Sequence, residues 1–147
     1  MKNFSYFLII ILLTACSNNG PIDKNSIKIC RIKQNPVLVD HCKKLMVVDK
    51  NNKIIDEAEI YCDPGTGCNS YLYDTDKTFT VIDCNGQWYI VDKQIGKISK
   101  ESWQWEKQLP AKYVGTFVYK SDTEFYSLLK EENVKTENVY KYKDPTN

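Results

Sequence analysis

The chain has 147 residues with 20 basic and 19 acidic side chains, a formal charge of +1. Lys2 is the only charged residue among the first fifteen, so the remainder is balanced. That balance argues against nucleic acid, which requires a basic excess, and against steering toward a strongly charged partner. The length suits one domain with a sizeable core and is too short for two.

The chain opens with Lys2 and an apolar run from Phe4 to Leu13, followed by Thr14, Ala15 and Cys16. A short positive region, about ten apolar residues and small residues before a cysteine make a secretory signal, too short for a comfortable permanent span. Leu13-Thr14-Ala15-Cys16 resembles the lipobox of bacterial lipoproteins. That resemblance implies cleavage after residue 15 and acylation of the Cys16 thiol. Each buried methylene adds about 0.8 kcal/mol, so several acyl chains give durable anchoring. By the same resemblance, Ser17 in place of an aspartate implies the periplasmic leaflet of the outer membrane rather than the inner membrane. Residues 16–26 are polar and interrupted by Gly20-Pro21, the pattern of a flexible tether. A single β-rich domain is expected over 27–142, with 143–147 as a tail.

Beyond Cys16 the cysteines are Cys30, Cys42, Cys62, Cys68 and Cys84. An oxidising compartment makes disulfides the default. Cys62 and Cys68 flank Asp63-Pro64-Gly65-Thr66-Gly67, a chain-reversing segment. A bridge there contributes roughly 2–2.5 kcal/mol on chain entropy. Cys30 and Cys42 flank Gln34-Asn35-Pro36 and are the second expected pair. The rival is Cys42 with Cys84, whose longer loop is worth about 4 kcal/mol. Either choice leaves one thiol over. With His41 the only histidine and a wide Cys62–Cys68 spacing, no metal site is expected, and no cofactor.

Three segments repeat an apolar strand, a polar turn and an apolar strand. They are Leu45–Ile55 around Asn51-Asn52, Tyr71–Ile82 around residues 74–77, and Trp88–Ile98 around residues 94–97. Each is rich in β-branched and aromatic residues, and Asp, Asn or Gly supplies each turn, which predicts hairpins. The first and third are alike: Val48-Asp49-Lys50 with Lys53-Ile54 against Val91-Asp92-Lys93 with Lys97-Ile98. The third hairpin's turn resembles those of propeller blades. A closed propeller typically needs at least four blades of four strands, more than this chain holds.

Trp103 and Trp105 alternate with polar neighbours, as on a half-buried strand. Residues 113–119 read as a further strand. Ser121-Asp122-Thr123-Glu124 has the form of a capping box, and Phe125, Leu128 and Leu129 follow at helical spacing. These predict a helix over about 122–133, then a short strand over Val139–Tyr142. The expected fold is mainly β (α+β), an antiparallel meander of six to eight strands with one C-terminal helix.

No constellation points to catalysis. Asp40-His41-Cys42 places the imidazole and the thiol on opposite faces of a strand. Asp56, Glu57 and Glu59 form a charged run without the paired geometry a glycosidase needs. The 63–67 loop lacks the Lys-Ser/Thr of a phosphate cradle. A protein-binding role remains. Pro64, Gly65 and Thr66 at a stapled tip lose little entropy on binding, and Trp103, Trp105, Tyr71 and Tyr73 are aromatic contact candidates. The expectation is a non-catalytic binding module held to a bilayer through Cys16, with a protein partner in the periplasm. One version is an immunity or inhibitor protein against a toxin or lysozyme. The alternatives are a pilotin-like assembly accessory and, third, an envelope hydrolase.

Overall fold

The computed structural model describes residues 20–32, 41–63, 69–84, 86–101, 110, 112–120 and 123–130. Among these residues, nine strands form two antiparallel sheets. The first sheet contains β1 (Ile27–Ile32), β2 (His41–Val48) and β3 (Ile54–Asp63) in that order. The second contains β4 (Ser70–Asp74), β5 (Thr78–Asp83), β6 (Trp88–Asp92), β7 (Ile98–Glu101), β8 (Lys112–Val118) and β9 (Ser127–Leu129). Its spatial order is β7-β6-β5-β4-β8-β9. The fold is thus mainly β as expected, and all three predicted hairpins form. The meander runs through β4 to β7 before β8 returns to the free edge of β4.

The period-two pattern explains the packing, because alternate side chains of a strand share a face. Ile27 and Ile29 of β1, Leu45 and Val47 of β2, and Ile60 of β3 point inward. They meet Leu72, Phe79, Val81, Tyr89, Val91 and Phe117 of the second sheet in one core. The sheets are joined along one side where Cys30 bridges to Phe125 and the Tyr126 amide donates to the Ile29 carbonyl at 2.9 Å. On the other side the Ile98 amide donates to Asp56 Oδ2 at 2.9 Å.

The predicted C-terminal helix is not present in the described part of 122–133. Ser127–Leu129 instead forms β9, pairing with Thr116–Val118 of β8. Phe125, Leu128 and Leu129 suit a helical stripe, but the β8 edge and the β1 edge offer unpaired backbone groups that this segment satisfies. Tertiary pairing outweighs local propensity here. β9 can lie this close because Gly115 has no side chain: a Cβ there would stand 2.5 Å from the Leu129 carbonyl oxygen. The expected final strand over 139–142 and the tail lie outside the described residues.

Packing starts earlier than the sequence suggests. Ile22, in the stretch read as tether, is buried in the core, and its amide donates to the Lys93 carbonyl at 2.9 Å. Asp23 then caps a 3-10 turn over Lys24–Ser26.

Candidate functional site

The two ends of the sandwich differ in construction. At one pole lie Ile22 and the turns 49–53, 75–77 and 93–97. The like sequences of the first and third turns produce like caps. Asp49 Oδ1 accepts the Asn51 and Lys53 amides at 2.8 Å, and Asp92 Oδ1 accepts those of Gln94 and Ile95 at 2.7 and 3.0 Å. Asn52 and Gly96 both take positive φ, 61° and 70°. Gly96 also sits against Ile55 and Ile22, where a Cβ would approach to 3.0 Å. Two clefts open here. One of about 230 Å³ is lined by Pro21, Ile22, Asn25, Val48 and Lys50. The other, about 460 Å³, is lined by Ile22, Asp74, Phe79, Lys93, Lys112 and Tyr113. In the second, Asp74 accepts from Lys93 at 2.5 Å and from Lys112 at 2.8 Å. The Lys112 hydrogen bond first, then that of Lys93, holds the Asp74 carboxyl below the usual carboxylate range.

At the opposite pole, strand alternation carries a charge into the core. Lys43 occupies the inward series of Leu45 and Val47, so its side chain crosses from the first sheet to the second. Its Nζ donates to Asp83 Oδ1 at 2.5 Å and to Ser70 Oγ at 3.0 Å. Ser70 Oγ donates to Asp83 Oδ1 at 2.9 Å. Ser70 and Asp83 face each other as the first pair of β4 and β5. The Lys43 and Asp83 side chains are both 0% exposed, and the ammonium lies 5.8 Å from the Tyr126 ring centroid. A buried ion pair is tolerated only when its hydrogen-bonding capacity is met, and Ser70 helps meet it.

Cys42 and Cys84 at this pole are each disulfide-bonded, and Cys84 Sγ lies 3.7 Å from Asp83 Oδ2. β3 ends at Asp63 and β4 begins at Ser70, so the segment between them starts and finishes at the same pole. A serine beside a lysine and an aspartate invites comparison with nucleophilic catalysis. Ser70 is fully buried, however, as are the Lys43 and Asp83 side chains. The trio braces one sheet against the other.

The expected Cys30–Cys42 bridge is not made: Cys30 is a free thiol. In the β1–β2 register Cys30 faces Lys44 and Cys42 faces Ile32. The two cysteines are therefore diagonal, about 7–8 Å apart by Cα, beyond the usual reach of a disulfide. Burial pushes the Cys30 thiol pKa up, against the lowering influence of Lys44. The expected Cys62–Cys68 bridge lies outside the described residues, as do Cys16, Pro64, Gly65, Thr66, Trp103 and Trp105.

Tyr71 and Tyr73 do share a face, the outer one of the second sheet. Tyr73, Ile82 and Trp88 are buried there, with Tyr71, Ile90 and Tyr113 packed against them. Tyr73 meets Tyr113 edge-on at 5.6 Å, and Tyr113 hydroxyl contacts Thr116 Oγ1. Burial, then the proximity of Tyr113 and Asp83, raises the Tyr71 pKa. Of the two tyrosines, Tyr71 retains access to solvent. Among the described residues no three His, Cys, Asp or Glu side chains converge as metal ligands.

Sequence reasoning missed the Lys43–Asp83–Ser70 trio. The signal was present: Lys43 continues the inward alternation of Leu45 and Val47, and Asp83 that of Val81. No family model, curated protein or solved structure matches the chain.

Proposed function

We propose that this chain is a lipid-anchored envelope protein whose β-domain is a non-catalytic binding module, presenting the 62–68 segment to a protein partner in the periplasm. The observation that carries the reading is the opposition of the two poles. The chain joins the domain at the Ile22 pole, while the segment between β3 and β4 is mounted on the pole braced by Lys43, Asp83 and Ser70. A segment rooted in a fixed base loses little entropy when it docks. The lipobox-like Leu13-Thr14-Ala15-Cys16 supports anchoring, and charge balance supports a protein rather than a nucleic acid as partner.

The test is affinity capture from native membranes with disulfides intact, comparing the unaltered chain with Thr66→Arg. The expected result is one partner captured by the unaltered chain and lost with Thr66→Arg, while thermal stability is unchanged. A toxin or lysozyme as partner identifies the inhibitor version; a secretion or pilus component identifies the assembly accessory. Equal capture by both chains, or turnover of a glycan or ester by the purified protein without any partner, overturns the reading. Anchoring is checked separately by Cys16→Ala, which leaves an uncleaved precursor or a domain released from the membrane.

A further inference from the structure

We infer that the pole formed by the turns 49–53 and 93–97 is a bilayer-contacting face that lies against anionic lipid headgroups. This rests on the anchoring reading above and adds an orientation and a lipid class to it. Ile22 is fixed in the core six positions after Cys16. Even fully extended, that stretch reaches only about 20 Å, so an acylated Cys16 holds this pole near the headgroups and leaves the braced pole pointing away.

The surface chemistry agrees. Ile54, 48% exposed, and Ile95, 60% exposed, are two of the three large exposed apolar side chains among the described residues. Both belong to this pole, where Ile55, next in sequence to Ile54, packs on Gly96, next in sequence to Ile95. The third, Phe125, bridges to Cys30 along the side of the sandwich. Around the isoleucines, Lys24, Lys50, Lys53, Lys77 and Lys97 are exposed. Asp49 and Asp92 accept backbone amides and Asp56 accepts the Ile98 amide, all three half-buried; Asp56 also pairs with Lys97 at 3.7 Å, and Asp23 and Asp76 are exposed. Lys24, Lys50, Lys53 and Lys77 are the lysines offered to headgroup phosphates. Apolar tips ringed by lysines suit an interface in which isoleucines enter the headgroup boundary while ammonium groups pair with phosphates.

The experiment is hydrogen–deuterium exchange on the full chain purified from membranes, after intact mass has established the state of Cys16. Exchange is followed in detergent, in phosphatidylcholine vesicles, and in vesicles also containing phosphatidylglycerol. The expected result is slowing by about threefold or more at the amides of 49–54 and 93–97 in the anionic vesicles, with 70–74 and 81–84 unchanged. Lys50→Glu with Lys53→Glu, and separately Ile95→Asp, remove that protection while the thermal midpoint and circular dichroism stay as before. Equal exchange at both poles, or protection at the braced pole, overturns the inference. An unmodified Cys16 defeats the anchoring reading alone. Such a chain still upholds the lipid face if its two turns are protected in anionic vesicles, and refutes it if they are not.

Discussion

Replacing Asp83 by alanine leaves the Lys43 ammonium inside the sandwich without its carboxylate, with Ser70 Oγ 3.0 Å away. Both side chains of the ion pair are 0% exposed, so solvent screening does not discount the effect as it does for surface pairs. Removing one partner of a buried pair costs about 3–5 kcal/mol. For a domain of this size that lowers the melting midpoint by about 10–20 °C. Lys43→Met strands the carboxylate instead and belongs in the same range. The double variant Lys43→Met with Asp83→Leu removes both charges, and exchanging a buried pair for apolar side chains is often neutral or stabilising. It is expected within about 1–2 kcal/mol of the unaltered protein, so the couplings in the cycle are large. Urea unfolding with disulfides intact measures all four chains through their midpoints and slopes. Single variants costing under about 1 kcal/mol, or a double variant as unstable as the sum of the singles, would refute the reasoning.

Three further outcomes follow from the geometry. Gly115→Ala pushes a methyl against the Leu129 carbonyl, and costs about 1–3 kcal/mol as an overpacked position does; exchange at the 127–129 amides should accelerate first. Asp74 has its folded pKa depressed by Lys112 and Lys93, so its contribution is present above the unfolded value of about 3.9 and disappears as pH falls through the folded value. Asp74→Asn therefore lowers the melting midpoint at pH 7, and the difference shrinks as pH falls through the folded value, whereas an equal loss at every pH would contradict the linkage. Burial raises the Cys30 pKa, so alkylation by N-ethylmaleimide at neutral pH is slower than for an exposed thiol, and unfolding in urea restores the ordinary rate; equal rates in both states would count against it.

The sequence by itself determined the three hairpins and where they turn. Leu45–Ile55, Tyr71–Ile82 and Trp88–Ile98 alternate or cluster apolar residues around Asp, Asn and Gly, and those preferences act within a few residues of chain. It also determined the likeness of the turns at Asp49 and Asp92, because an aspartate capping amides two to four residues ahead needs no distant partner. The tertiary structure alone decided features that depend on which strands meet. The 127–129 segment became a strand because two sheet edges and the space left by Gly115 were available to it, overriding a helical stripe. Cys30 stayed free because the β1–β2 register faces it with Lys44, and register is a property of paired strands rather than of spacing. Lys43, Asp83 and Ser70 lie far apart in sequence and share no local motif. Their meeting depends on the first sheet folding over the second, where one inward lysine reaches the carboxylate and hydroxyl that β4 and β5 place side by side.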